Sequence, residues 1–244
     1  MAPALVRRVA RALGLGRSRT AAGVAVGALQ ERATNLGQRI FLGGPPELFE
    51  QFGRLQFIAL IRRGLSPDDH VIDVGCGALR AGYWLIHFLD PERYLGIEPN
   101  REMLAAARAE LLEPGLEELK RPRFAYDDDF DLSVFNVAPR FVLARSIWTH
   151  TDKVQIERLL DSFASYAASD GLLLASYLPS HGFVRPDNRS TGWKGRGPAG
   201  SKAGVVANSS RWIAMACRQR GLRAQESHRD RFGHQNWVEI RRVS

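Results

Sequence analysis

Cysteine is scarce in this sequence: Cys76 and Cys217 are the only two among 244 residues. Two thiols cannot build a disulfide framework, and neither lies near a second Cys or a His at zinc-ligand spacing. A reducing, cytoplasmic setting and a protein with no metal are therefore expected. No run approaches the roughly 20 apolar residues of a spanning helix. Acidic residues are missing from residues 1–30, which carry Arg7, Arg8, Arg11, Arg17 and Arg19. There is no internal repeat, and a chain with 45% hydrophobic and 25% charged residues is not collagen, long disorder or coiled coil.

What is present is a formal net charge of +8, unevenly placed. Besides the arginine-rich start, residues 178–206 hold Arg185, Arg189, Lys194, Arg196 and Lys202 against Asp187 alone. The remainder is close to neutral, which disfavours one extended nucleic-acid face. Leu5, Val6, Val9 and Leu13 share one side of a helical repeat, with Arg7, Arg8 and Arg11 largely on another. Three readings stay open for residues 1–30: peripheral contact with anionic membrane, a solvated or packed terminus, and a targeting segment. Residues 1–41 are read as a basic extension, and 42–244 as one domain with a flexible basic loop at 178–206.

Along the body, apolar residues from Leu48 to Ile61 recur at helical spacing. Short apolar runs at 70–74, 94–97, 123–126, 141–144 and 171–177 then alternate with helical stretches at 79–89, 101–112 and 152–168. The alternation implies βαβ units around a mostly parallel sheet. After the basic loop, a helix over 209–220 ends at Gly221, and strands at 222–227 and 237–243 should pair antiparallel.

The informative stretch is Val71-Ile72-Asp73-Val74-Gly75-Cys76-Gly77-Ala78-Leu79-Arg80. A buried strand enters a glycine turn, and the next helix offers free N–H groups to a ligand. Glu98 follows the second strand, placed to accept ribose hydroxyls. The dinucleotide fingerprint wants a third glycine where this chain has Arg80. Asp73 so close to the turn disfavours a pyrophosphate and favours a cation such as a sulfonium amino acid.

With these residues the sequence resembles the class I S-adenosylmethionine-dependent methyltransferases, from about Leu42 to Arg242. The resemblance implies a Rossmann-like, seven-stranded, mostly parallel sheet flanked by helices, with the last two strands antiparallel. It implies that Asp73, Gly75, Cys76 and Gly77 hold the methionine end of S-adenosylmethionine, and that Glu98 binds ribose. Asp128, with Asp127 as the alternative, would contact the adenine amino group. Ser146-Ile147-Trp148-Thr149-His150 resembles a bacterial subset that places this segment, Ser146 included, beside the reaction centre. The chain has Arg140 where many relatives have Asp. It lacks both the Asn/Asp-Pro-Pro-aromatic segment and the Pro-Cys nucleophile of base methylation, so nucleic-acid bases are disfavoured as acceptors.

His150 is the candidate general base for a hydroxyl acceptor, against a reading in which it only caps the following helix or orders the cofactor. Trp148, His234 and Trp237 are candidates for the acceptor side, with core packing or an ordinary hairpin as the alternative. The acids Asp127, Asp128, Asp129 and Asp131 share one loop with no partner His, so a solvated turn is preferred to a metal site. The functional expectation is methyl transfer to a small-molecule, sugar, glycan or lipid-linked acceptor, at oxygen. An RNA methyltransferase and a catalytically silent cofactor-binding module at a membrane are the alternatives.

Overall fold

The computed structural model describes residues 21–180, 206–227, 230 and 235–243, with side chains from Ala28 onward. The amphipathic helix expected over residues 5–13, most of the basic loop and His234 lie outside the described residues. The chain forms two compact units interleaved in sequence: Met1–Asp69, Cys76–Tyr94 and Asn100–Arg123 make the first, and His70–Gly75, Leu95–Pro99 and Phe124–Ser244 the second.

The first unit is helical. It comprises α1 (Ala21–Gly37), a 3-10 turn (Pro46–Leu48), α2 (Phe49–Ile61), α3 (Gly82–Phe88), α4 (Arg101–Leu111) and α5 (Leu116–Lys120). Leu29, Ala33 and Leu36, at helical spacing on α1, are fully buried where this helix packs on α2 and α4. Part of the segment read as an extension is thus core of this unit. Helix α3 begins three residues later than the sequence predicts because Leu79 adopts φ 60, which ends one turn before the helix starts. Two glycines permit close packing here. A Cβ on Gly53 would meet the Arg80 carbonyl oxygen at 2.1 Å, and one on Gly82 would meet Tyr94 Oη at 2.5 Å. The Arg80 side chain stacks on the Phe49 ring at 5.3 Å and donates from Nη2 to Leu42 O at 3.0 Å.

A polar cluster ties three parts of this unit together at Glu113. Its Oε1 accepts from Arg32 Nη2 at 2.8 Å and from the Tyr83 hydroxyl at 2.7 Å, and its Oε2 lies 3.2 Å from His87 Nε2. Burial would raise the Glu113 carboxyl, but the bonds from His87, Tyr83 and Arg32 outweigh it and hold the pKa at about 2.

The second unit is built on the sheet. Apart from Tyr94 and Arg123, which fall in the first unit, it holds the strands β1 (Val71–Val74), β2 (Tyr94–Ile97), β3 (Arg123–Ala125), β4 (Phe141–Ala144), β5 (Leu172–Pro179), β6 (Ala207–Asn208), β7 (Leu222–Ser227) and β8 (Asn236–Arg242). The order is β3-β2-β1-β4-β5-β8-β7, and β6 pairs with the end of β5. Strands β1, β4 and β5 pair in parallel, whereas β8 pairs antiparallel with both β5 and β7. This is the expected seven-stranded sheet with one addition, the two-residue β6. Strands β1 and β4 are buried along their whole length, which explains why β4 is apolar throughout and why β1 is apolar but for Asp73. Helices α6 (Lys153–Tyr166) and α7 (Ser210–Arg218) supply Ile156, Leu159, Leu160, Phe163, Ile213 and Cys217 to the core that the strands line.

Candidate active site

Parallel strands end together, so the residues that follow β1, β2, β3 and β4 share the carboxyl edge of the sheet. The side chain of Asp73 is one residue from the end of β1 and 4% exposed; Glu98 directly follows β2 and is 2% exposed. Carboxylates this deeply buried need charged or hydrogen-bonding partners, since burial alone is costly for an ionised acid. Gly75 N–H donates to Ile97 O at 2.8 Å, carrying the β1–β2 ladder one residue further before φ 68 turns the chain away. Within the first unit, Gly77 continues the turn at φ 54 and Cys76 is a buried free thiol. Both glycines sit in the left-handed region that residues with a Cβ avoid.

After β3 the acid run sorts itself by local geometry. Asp127 Oδ2 accepts the Asp131 N–H at 2.9 Å, and Asp131 Oδ1 accepts the Ser133 N–H at 2.8 Å as the cap of the 3-10 turn Leu132–Phe135. Asp129 pairs with Arg158 at 2.5 Å. These three acids build the loop, and Asp128 beside them is half-buried. Among the described residues no group of three or more His, Cys, Asp or Glu side chains is arranged to hold a metal ion.

The exit of β4 differs in chemistry. Burial lowers the pKa of Arg145, which still remains a cation. Ser146 takes φ 63, an uncommon conformation for a residue with a side chain. A ring of three hydrogen bonds holds it. Ser146 N–H donates to Ser176 Oγ at 2.8 Å, Ser176 Oγ donates to Gln235 Oε1 at 2.6 Å, and Gln235 Nε2 donates to Ser146 Oγ at 2.7 Å. The 3-10 turn Ile147–Thr149 follows and ends at His150. His150 is not the cap of α6. That cap is Asp152, whose Oδ1 accepts Gln155 N–H at 2.8 Å while Gln155 Oε1 accepts the Asp152 N–H at 3.2 Å.

Trp148 and Trp237 are both core residues, fully or almost fully buried. Tyr177, near the end of β5, is also buried, and its hydroxyl bonds to Glu226; burial first, then that bond, raises its pKa. Ser176 and Asn208 are polar residues of this edge that no sequence spacing singles out, and Gln235 is one of the hairpin residues expected near the acceptor side. Their partners are far away in the chain, so only the fold brings them together.

The edge is therefore divided. The ends of β1, β2 and β3 carry the carboxylates of Asp73, Glu98 and Asp128, while the exits of β4 and β5 carry Arg145, hydroxyls, carboxamides and an imidazole. The acidic half fits a cationic ligand with hydroxyl and amino groups better than a diphosphate. No helix among the described residues is long and apolar enough to cross a membrane.

No family model matches the sequence. Solved structures do share its fold. The magnesium protoporphyrin IX methyltransferase ChlM from Synechocystis PCC 6803, with bound S-adenosylhomocysteine, matches with a TM-score of 0.57 at 16% identity, over 90% of this chain and 100% of that one. The glycopeptide N-methyltransferase MtfA, complexed with S-adenosylmethionine, matches with a TM-score of 0.56 at 13% identity, over 78% of this chain and 94% of that one. A ribosomal protein L11 methylase from Lactobacillus delbrueckii subsp. bulgaricus matches with a TM-score of 0.51 at 14% identity, over 80% of this chain and 79% of that one. By strand order and by these likenesses, the chain has the fold of the class I S-adenosylmethionine-dependent methyltransferases.

Proposed function

We propose that the protein is an S-adenosylmethionine-dependent methyltransferase that acts on a small-molecule, sugar or lipid-linked acceptor, at oxygen. The observation that carries this reading is the pair of buried carboxylates, Asp73 and Glu98, closing adjacent strands at a glycine turn. Asp73 and the backbone of Gly75, Cys76 and Gly77 hold the amino acid end of the cofactor. Glu98 accepts from the ribose hydroxyls, and Asp128 accepts from the adenine amino group. Asp127, whose Oδ2 accepts the Asp131 N–H, is the alternative for that contact. Ser146 borders the cofactor on the β4 side.

Bound S-adenosylmethionine supplies a methyl carbon attached to a positive sulfur. The protein's work is to align the acceptor oxygen with that carbon and to keep water out. His150 takes the proton from the acceptor oxygen; an imidazole, with an ordinary pKa of about 6.5, is suited to that task near neutral pH. Trp148 and Trp237, both buried, back the acceptor side from the core. ChlM, MtfA and the L11 methylase differ in the acceptors they are named for, so the acceptor assignment rests on this chain's own β4 and β5 exits.

Titration calorimetry with S-adenosylhomocysteine tests the cofactor site. Binding by the wild-type chain that weakens in Asp73→Ala and Glu98→Ala supports it, and undiminished binding in both variants overturns it.

A further inference from the structure

The turn that carries His150 is anchored at each of four successive carbonyls. Ser146 O accepts from Thr149 Oγ1 at 2.7 Å, and Ile147 O accepts from His150 N–H at 2.9 Å and from Thr151 Oγ1 at 3.0 Å. These are local bonds of a tight turn. The next two are not. Trp148 O accepts from Asn208 Nδ2 at 3.1 Å, across 60 residues of chain, and Thr149 O accepts from Val206 N–H at 2.9 Å.

Asn208 is itself fixed. Its carbonyl accepts the Ser180 N–H at 3.0 Å, its backbone lies in register with Pro179 in the β5–β6 pair, and the residue is 1% exposed. The orientation of its carboxamide follows from chemistry, because a carbonyl oxygen only accepts and must therefore face Nδ2. Asn208 Oδ1 is left buried with no hydrogen-bond partner. A leucine, branched at the same carbon though larger, would carry no such desolvation penalty. What asparagine adds at this position is the bond to Trp148 O.

We propose that Asn208 is a positioning residue for methyl transfer, holding the Ile147–Thr149 turn so that the His150 imidazole keeps one orientation toward the acceptor. The inference rests on the methyltransferase reading and deepens it. Placement errors of about 1 Å in a proton-accepting group lower turnover steeply, whereas cofactor affinity rests chiefly on Asp73, Glu98 and the glycine turn. Asn208 acts through the turn, so its loss should affect the rate and the environment of His150 and spare cofactor binding.

The test uses the full chain and Asn208→Leu. Three quantities are read: S-adenosylhomocysteine affinity by calorimetry, the pH titration of the histidine ring signals by NMR, and labelled-methyl transfer from S-adenosylmethionine into a fractionated cell extract. The expected result is affinity within about threefold of wild type, transfer reduced by at least about tenfold, and a displaced His150 titration with His87 unmoved as the internal reference. An unchanged His150 titration or unchanged transfer overturns the proposal, as does an equal displacement of His87, which would mark a global effect. Should Asn208→Leu not fold, Asn208→Ser carries the same test, since its hydroxyl is too short to reach Trp148 O. If the wild-type chain binds no S-adenosylhomocysteine, the methyltransferase reading itself falls; if it binds and His150 is indifferent to Asn208, only the positioning role falls.

Discussion

The Ser146 amide donates to Ser176 Oγ at 2.8 Å, and that hydroxyl passes its own proton to Gln235 Oε1 at 2.6 Å. Ser176 is fully buried, so Ser176→Ala leaves a backbone donor and a side-chain acceptor without their partner. The expected loss is about 1–3 kcal/mol. Urea denaturation should show a lower midpoint with an unchanged slope, because the surface exposed on unfolding stays the same.

Gly53 is where α2 allows the backbone of the Arg80 turn to come close. In Gly53→Ala the new Cβ meets a carbonyl oxygen at 2.1 Å and Trp84 Nε1 at 2.9 Å, and the first of these contacts is backbone that cannot swing aside. Overpacking of this kind costs about 1–3 kcal/mol. Gly64→Ala provides the contrast: nothing lies within 4 Å, so only the strain of φ 86 remains, about 1 kcal/mol. Thermal melts of the two variants should rank in that order.

Glu113 makes the stability of the first unit depend on acid. Its carboxyl has a pKa of about 2 in the folded chain against an ordinary 4.5, so the unfolded chain binds a proton first as the pH falls. The stabilisation is fully present above about 4.5 and is lost as the pH drops towards 2. Melting temperature followed from pH 6 to pH 2 should fall less steeply in Glu113→Gln than in wild type.

Cys217 lies in the core, where burial pushes its thiol up to about 12, only partly opposed by Arg220 and Arg218. The thiolate is the reactive form. Native protein treated with iodoacetamide at pH 8 should show no adduct at Cys217 by mass spectrometry, and the adduct should appear once denaturant unfolds the chain.

The two halves of the site should separate kinetically. Glu98→Gln removes the charge from hydrogen bonds of the kind worth about 1.5–3 kcal/mol, so S-adenosylhomocysteine should bind about 10–100-fold more weakly. His150→Ala should leave that affinity within about threefold and lower methyl transfer by about 10²–10⁴-fold, the usual contribution of a general base. Calorimetry and labelled-methyl transfer on the same preparations distinguish the two effects.

The sheet is legible because its central parallel strands are mostly apolar, as at Phe141–Ala144, and because Gly75 and Gly77 punctuate the first of them. Helix α1 was harder. Leu29, Ala33 and Leu36 have the right spacing, but the alanine- and glycine-rich residues before them dilute the periodic signal. Strand β6 has no signal of its own, because two residues cannot display a period and its pairing depends on where Ser180 and Asn208 meet in space. The sequence offers Asp128 with Asp127 as the alternative, and the bond from the Asp131 N–H to Asp127 depends on a turn that no spacing displays. Trp148 reads from sequence as a pocket wall or as core, and Trp237 as part of an acceptor-side group or of an ordinary hairpin; both are buried, a fact that depends on packing the sequence does not display.

In the strand order β5-β8-β7, the strand that comes latest in sequence is an interior one. A ribosome adding about 5–20 residues per second therefore leaves the flank of β5 unpaired for seconds after β5 itself has emerged. During that interval the apolar edge Leu173–Tyr177 can be capped only by a chaperone or by a stray strand from another nascent chain. Slow codons or ribosome stalling between β5 and β8 would lengthen that exposure, so aggregation during synthesis should track translation speed through this stretch more closely than it tracks the stability of the finished fold.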